Sequence, residues 1–196
     1  GISIRNLSTD PVFSSVAQKI TISNNSINTP VFYGMLLQST TFGAEAYLKN
    51  VSITGNRINE SYYGIVMEYA QYVHITSNDI YFTNNAVLLG KTADFVVQGN
   101  RTTASGSGAP HYRLDDLYDG NNQLYITGTN AATDEDAVEI VNIGSDAALP
   151  YLESNVPGNY TNFRVRFASN VRLNPTPGGY IGLVCTTGTT TSTVWK

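Results

Sequence analysis

A short pattern that is written four times between residues 20 and 102 constrains the fold of this chain most strongly. Each copy opens with apolar residues two positions apart and continues with a polar segment that contains an asparagine. The shared asparagines are Asn25, Asn56, Asn78 and Asn100, and the interval is longest between the first two and then constant. Repetition with a period of about 22 residues is typical of solenoid proteins, in which each repeat forms one coil.

The residue pattern within each copy predicts strands rather than helices. Apolar residues at positions i and i+2 indicate a strand with one buried face. A second, more apolar strand begins a short and similar distance after each asparagine, at Gly34, Gly64 and Ala86. Coils of this length that stack at roughly 4.8 Å give every strand a parallel partner above and below. We therefore predict a parallel β-helix, right-handed as parallel crossovers generally are.

The asparagines are expected to do two things in such a helix. Asparagine tolerates a left-handed backbone, so each one can form the bend between two strands. Stacked side-chain amides can also bond from coil to coil and form a structural ladder of Asn25, Asn56, Asn78 and Asn100.

The repeat divides the chain into three predicted segments. Residues 1–103 form the coils, which we expect to be the end of a longer helix. Residues 104–110 have the glycine- and serine-rich composition of a linker. Residues 111–196 are rich in strand-forming residues but lack the regular period, and they predict a small β-sandwich-like domain. Its expected role is to cap the helix or to hold a trimer together, since an open sheet edge recruits other chains.

Composition excludes several classes of function. The formal net charge of −4 argues against a nucleic-acid surface and against docking on an anionic membrane. No stretch is long and apolar enough to predict a membrane span. A single cysteine allows no intrachain disulfide.

Two segments resemble known protein families. Residues 51–58, Val-Ser-Ile-Thr-Gly-Asn-Arg-Ile, resemble coils of the pectate-lyase-like β-helix superfamily. Residues 177–187, followed by Val194-Trp195-Lys196, are similar to the C-termini of bacteriophage tailspike and preneck appendage proteins. This resemblance implies an extracellular homotrimer on the virion, joined to the rest of the phage tail. It also implies binding, and in many members degradation, of a host polysaccharide such as a capsule, an O-antigen or a teichoic acid.

The carboxylates give a weaker indication of catalysis. Glycoside hydrolysis generally needs two carboxylates that face each other across the sugar. Glu60 and Glu68 are the candidates for a depolymerase, either a hydrolase or a lyase, but no second carboxylate is expected to stack beside Glu68. The pair Asp115-Asp116 follows the predicted linker and is assigned to solvated loops. The sequence therefore favours a binding module. The alternative is a depolymerase whose catalytic groups lie on this helix face or in coils that precede this sequence.

Four tyrosines are the candidate carbohydrate-binding residues, and they are Tyr62, Tyr63, Tyr69 and Tyr72. Their rings offer flat faces for sugars, and their hydroxyls can form hydrogen bonds. Tyrosine is equally suited to a subunit interface, so both interpretations stay open.

No cofactor and no metal site are predicted. His74 alternates with apolar residues and is expected at the surface, and His111 follows the linker; neither has the partners that a metal site needs. Acidic clusters at residues 115–121 and 134–136 could bind calcium through oxygen ligands, but their spacing fits no EF-hand. Solvated loops are the favoured interpretation.

Overall fold

The computed structural model describes a chain whose regular elements are strands. The described residues are 1–6, 17–39, 48–105, 110–126, 129–130, 138–143, 148, 150–154, 163–167, 185–188 and 193–195. The strands are β1 Ile2–Asn6, β2 Ala17–Ser23, β3 Ser26–Asn28, β4 Tyr33–Ser39, β5 Leu48–Thr54, β6 Arg57–Thr76, β7 Asp79–Gln98, β8 Arg101–Ala104, β9 Tyr112–Asp115, β10 Gln123–Ile126, β11 Thr129–Asn130, β12 Val138–Ile143, β13 Tyr151–Ser154, β14 Phe163–Phe167, β15 Cys185–Gly188 and β16 Thr193–Trp195. In these segments no helix is long and apolar enough to cross a membrane.

The strands stack in parallel on three faces. The long strands β6 and β7 each pass through all three faces, and their partners are shorter strands of neighbouring coils. On the first face β3, β6, β7 and β8 pair in order, on the second β4, β6, β7 and β9, and on the third β2, β5, β6 and β7. This arrangement is a parallel β-helix, as the sequence predicted. Its right-handed winding stays a prediction.

The core consists of columns of apolar side chains, one residue from each coil. On the third face Ile53, Ile75 and Val97 occupy matching register positions, and all three side chains are fully buried. Burying a side chain of this size stabilises the fold by about 1.5–3 kcal/mol. The period-2 pattern therefore directs alternate apolar residues inward in each coil.

The asparagine ladder runs through the bends between the third and the first face. Asn25 Nδ2 donates to Asn56 Oδ1 at 3.0 Å, Asn56 Nδ2 to Asn78 Oδ1 at 3.0 Å, and Asn78 Nδ2 to Asn100 Oδ1 at 2.9 Å. Each acceptor oxygen also receives the backbone N–H of the preceding ladder residue at 3.0 Å. The column thus satisfies buried amides between coils, where an unpaired polar group would be costly.

The left-handed residue of each bend lies one position earlier than expected. Asn24, Gly55, Ser77 and Gly99 have φ angles of 56°, 66°, 57° and 62°. The ladder asparagines that follow them have no left-handed φ. The sequence prediction that the ladder asparagine carries the bend was therefore wrong. The preceding residue turns the backbone, and this turn points the asparagine side chain inward.

Parallel pairing continues beyond residue 103, where the sequence predicted the end of the coils. Strand β9 pairs with β7, β10 pairs with β7, and β12 and β13 continue the stack. Tyr112 occupies the register position that follows Val87, and Val138 the position that follows Tyr112. Both intervals are longer than the constant interval between Asn56, Asn78 and Asn100, although the interval between Asn25 and Asn56 is longer still. Longer coils therefore replace the regular ones, which is why the boundary at 103 is corrected.

Antiparallel pairing occurs only at the end of the described strands. β16 pairs antiparallel with β13 and with β15. The rest of the segment that was predicted to form a β-sandwich-like domain lies largely outside the described residues.

His111 lies in the interior where the chain enters β9. Its side chain is fully buried, its Nδ1 is 2.7 Å from Thr102 Oγ1, and its ring meets Phe82 edge to face with a centroid distance of 4.9 Å. Burial lowers the pKa of His111 to about 4, because the charged form would lose its hydration. The imidazole is therefore neutral at neutral pH. Most of the linker predicted before this residue, at positions 104–110, lies outside the described residues.

Candidate functional site

A cleft of about 470 Å³ lies on the second face, at the ends of the β6, β7 and β9 segments. We name it the Gly90 cleft. Its lining residues are Tyr63, Glu68, Tyr69, Leu88, Gly90, Lys91, Arg113, Asp115 and Asp116.

One register column forms the floor of the Gly90 cleft. Gln38, Glu68, Gly90 and Asp115 occupy matching positions in four successive coils. Glu68 and Asp115 are therefore two coils apart. The coil between them has a glycine, Gly90, at this position, so no side chain separates the two carboxylates. The column thus places a gap between two carboxylates.

The fold does not require glycine at position 90. A Cβ at this position would lie 3.4 Å from Glu68 Cγ and 4.0 Å from the Asp115 carbonyl oxygen, which are ordinary contacts. At Gly64, by contrast, a Cβ would lie 2.4 Å from the Ala86 carbonyl oxygen. Gly90 also has no left-handed φ. The gap above it is therefore a feature of the surface rather than a consequence of backbone packing.

The charged groups of the cleft are partly paired with one another. Asp115 lies 3.4 Å from Arg113, whose guanidinium is also 3.5 Å from the nearly buried Glu139. Lys91 lies 3.7 Å from Asp116. The Gln38 amide donates to Glu68 at 2.5 Å. The hydrogen bond holds Glu68, and the ion pair holds Asp115, at the two sides of the gap.

A second column at the cleft edge has a left-handed backbone. Tyr69, Lys91 and Asp116 directly follow Glu68, Gly90 and Asp115, and their φ angles are 56°, 48° and 50°. Side chains in this region cost about 1 kcal/mol or more each unless they are asparagine or glycine. The same φ recurs at bends away from the cleft, as at Asn50, Tyr72 and Asp94, so it belongs to the turns of the coils rather than to the cleft alone.

Lys91 contacts the neighbouring tyrosine of this edge column. Its Nζ donates to Tyr69 Oη at 3.1 Å and lies 5.0 Å from the ring centroid. The hydrogen bond to Tyr69 raises the pKa of Lys91 above its usual range, and the nearby Asp116 carboxylate acts in the same direction. The Lys91 ammonium thus lies at the hydroxyl end of Tyr69.

An aromatic patch adjoins the cleft. We define it as Phe32, Tyr33, Tyr62 and Tyr63. Phe32 stacks on Tyr62 with a centroid distance of 5.2 Å, and Tyr33 stacks on Tyr63 at 5.6 Å. Phe32 and Tyr62 are 49% and 40% exposed, whereas Tyr63 extends into the Gly90 cleft. The patch therefore continues the wall of the cleft onto the outer surface.

A separate polar groove of about 570 Å³ lies on the first face. It is lined by Asn28, Thr29, Arg57, Asn59, Glu60, Asp79, Tyr81, Arg101 and Thr103. Glu60 therefore lies in this groove and Glu68 in the Gly90 cleft. The structure does not bring the two predicted catalytic candidates together, because the bend at Glu60, whose φ is 56°, turns the chain to another face.

The four candidate tyrosines are also divided. Tyr63 and Tyr69 line the Gly90 cleft, and Tyr62 belongs to the adjoining aromatic patch. Tyr72 is 48% exposed at a later bend with a φ of 58°, and it lines neither of the two clefts described above.

Sequence reasoning missed the residues that complete the cleft. Arg113, Asp115 and Asp116 were expected in a separate domain, although β9 stacks directly on β7. A usable signal was present, since Tyr112-Arg-Leu-Asp115 matches the alternation of Val87-Leu-Leu-Gly90 when the two are aligned. The alignment requires a longer coil, which the regular period did not suggest.

No group of three or more His, Cys, Asp or Glu side chains that could hold a metal ion occurs in the described part of the chain. The predicted acidic cluster at residues 134–136 lies outside the described residues.

The family comparison agrees with this architecture. The model of the NosD family, described as periplasmic copper-binding protein, matches residues 6–147, which is well over half of the chain. The chain belongs to the NosD family. The range of the NosD match extends past residue 103 and includes β9, β10 and β12, as the parallel pairing does. No curated protein and no solved structure matches the chain.

Proposed function

We propose that this β-helix binds a polysaccharide in the Gly90 cleft. The observation that carries the proposal is the gap over Gly90, which lies between Glu68 and Asp115 and is walled by Tyr63 and Tyr69. Carboxylates accept hydrogen bonds from sugar hydroxyls, and tyrosine rings pack against sugar faces. The exposed rings of the aromatic patch extend this surface for a chain of several sugars.

The proposed setting is the distal part of a trimeric phage tailspike or appendage that adsorbs to a host polysaccharide. Support comes from the likeness of residues 177–187 and 194–196 to the C-termini of such proteins. A thin solenoid exposes much surface, so trimerisation would bury area that one chain cannot cover.

The trimer predicts a solution mass near three times the 21.2 kDa of one chain. Size-exclusion chromatography with multi-angle light scattering measures this mass directly. Phe163→Asp and Phe167→Asp, two changes in the last parallel strand β14, are expected to yield monomers. A monomeric wild-type protein would contradict the trimer without affecting the proposal for the cleft.

The spacing of Glu68 and Asp115 favours hydrolysis as a second candidate function. The backbones of residues two coils apart are separated by about 9.6 Å along the stack. The Glu68 side chain shortens the gap between the two carboxyl groups, because it reaches toward the intervening coil, with its Cγ 3.4 Å from the Cβ position of residue 90. Inverting glycosidases place their carboxyl groups about 6.5–9.5 Å apart, which leaves room for a water molecule. In such a reaction one carboxyl group protonates the leaving oxygen as its bond to the anomeric carbon breaks. The other takes a proton from the water that forms the new bond.

Copper binding, which the NosD family description names, does not fit the described side chains. Soft ligands such as Met, Cys and His suit copper. Met35 and Met67 are fully buried in the core, His111 is buried against Thr102, and His74 is exposed on another face. These donors do not converge, so no step of the proposed function involves copper.

Filling the gap tests the binding site. Gly90→Leu is expected to weaken polysaccharide binding at least about tenfold, a loss of about 1.4 kcal/mol, because the side chain occupies the space of a sugar. The fold should persist, since a Cβ at Gly90 makes only ordinary contacts. Biolayer interferometry against a panel of bacterial capsular polysaccharides and O-antigens measures the affinity. Reducing-end release in the same samples reports hydrolysis.

The matched control is Gln98→Leu, which adds a leucine at an exposed position of the same strand β7 but outside both clefts. Its affinity should equal that of the wild type. Undiminished binding by Gly90→Leu, or a wild-type protein that binds no member of the panel, would refute the proposed function.

A further inference from the structure

Glu68 differs from the other carboxylates of the Gly90 cleft in its partner. Asp115 pairs with Arg113, and Asp116 pairs with Lys91. Glu68 accepts a hydrogen bond from the neutral amide of Gln38. Among the described side chains that line the cleft, it is the carboxylate without a cationic partner.

The lining also has an excess of negative charge. Three carboxylates, Glu68, Asp115 and Asp116, face two cations, Lys91 and Arg113. Arg113 is shared, because its other nitrogen lies 3.5 Å from Glu139. A ligand that covers the cleft removes water from Glu68, and the burial of a charge without a counter-charge is unfavourable. A sugar acid would add a like charge, whereas an ammonium group would pair with Glu68.

The tyrosine wall favours the same chemistry. Aromatic faces attract cations through their negative quadrupole, and the Lys91 ammonium binds the hydroxyl of Tyr69, 5.0 Å from the ring centre, rather than the centre of its face. Tyr63 lines the same cleft. The gap over Gly90 lies beside Glu68, with Glu68 Oε1 only 3.9 Å from the point where a Cβ would stand. A ring seated there brings its substituents within reach of that carboxylate.

We propose that the Gly90 cleft selects a glycan with an unacetylated amino sugar, whose ammonium group pairs with Glu68. This inference rests on the proposed polysaccharide binding and specifies its ligand class. Gln38 acts as a positioning residue, because its amide fixes the Glu68 carboxylate at the edge of the gap.

Three hexasaccharides test the inference by isothermal titration calorimetry on the intact chain. They are the hexamer of glucosamine, its fully N-acetylated form and the hexamer of galacturonate. The glucosamine hexamer should bind at least about tenfold more tightly than the N-acetylated form, and the galacturonate hexamer should bind most weakly. Glu68→Gln should remove the preference for the amine. Glu60→Gln, the same change in the separate groove on the first face, should retain it.

General attraction to a protein of net charge −4 is controlled with hexalysine. Equal affinity for hexalysine and the glucosamine hexamer would overturn the proposal, as would equal affinity for the amine and its N-acetylated form. An unchanged preference in Glu68→Gln, or no binding of the glucosamine hexamer, would also overturn it. Binding of neutral or acidic members of the polysaccharide panel would leave the proposed function standing in each of these cases.

Discussion

Asn78→Ala is expected to lower the free energy of unfolding by about 4 kcal/mol. The side chain is buried at the centre of the asparagine ladder. Its Oδ1 accepts from the backbone and the side chain of Asn56, both at 3.0 Å, and its Nδ2 donates to the Ile53 carbonyl at 3.0 Å and to Asn100 Oδ1 at 2.9 Å. Each bond contributes about 1 kcal/mol, and each buried group left without a partner costs about 1–3 kcal/mol.

Urea unfolding followed by circular dichroism measures this loss. The control is Asn25→Ala at the end of the described ladder, where the side chain is only half-buried. Asn25 Nδ2 donates to Asn56 Oδ1 and to the Ser23 carbonyl, and the latter bond is exposed. A cost of about 1 kcal/mol is expected there. Equal losses in the two variants would contradict the prediction that a buried asparagine in the middle of the column contributes more than the half-buried one at its end.

The stack of coils could be predicted because every coil without an insertion has the same length. Val51, Val73 and Phe95 follow one another at a constant interval and occupy matching register positions. One asparagine per coil marks the same bend each time. The detail of that bend was not predictable from asparagine alone. The propensity of asparagine for a left-handed backbone suggested the wrong residue. The Asn78 side chain hydrogen-bonds to Asn100 in the ladder, whereas Ser77 has the left-handed φ that turns the chain.

The candidate site was predictable only in part, since it depends on the register between coils of unequal length. Glu68 and Tyr69 were recognised in the sequence, and both line the Gly90 cleft. Asp115 reaches the same column through a coil that is longer than the one from Glu68 to Gly90, and the regular repeat does not indicate that length. The gap that Gly90 leaves in the column could not be predicted either, because a glycine in a strand suggests a bulge or a close approach of backbones. Only the contacts of an added Cβ distinguish Gly90 from Gly64.

The unfolding free energy should fall as the pH is lowered from about 6.5 to 4, and His111 should account for a defined share. In the folded state its pKa is lowered to about 4 by burial, from a usual value of 6.5. Well above pH 6.5 both states hold a neutral imidazole, so the group does not affect stability there. Below that pH the unfolded state binds the proton first and is stabilised. The loss of unfolding free energy that is due to His111 reaches about 2 kcal/mol at pH 5 and about 3 kcal/mol at pH 4.

His111→Gln removes the titration and retains a polar partner for Thr102 Oγ1, which lies 2.7 Å from Nδ1 in the wild type. The difference in unfolding free energy between pH 7 and pH 5 should therefore shrink by about 2 kcal/mol in this variant. His74→Gln, at an exposed position of β6, leaves the buried imidazole in place and should show the full wild-type difference. If His111→Gln keeps the full wild-type pH dependence, His111 does not contribute to it. The pKa of His111 in the folded wild type would then not be lowered, and the interior would admit a charged imidazole. The contact between residue 111 and Phe82 would then not exclude water, and the packing of β9 onto β7 would be looser than the buried His111, Tyr112 and Leu114 indicate.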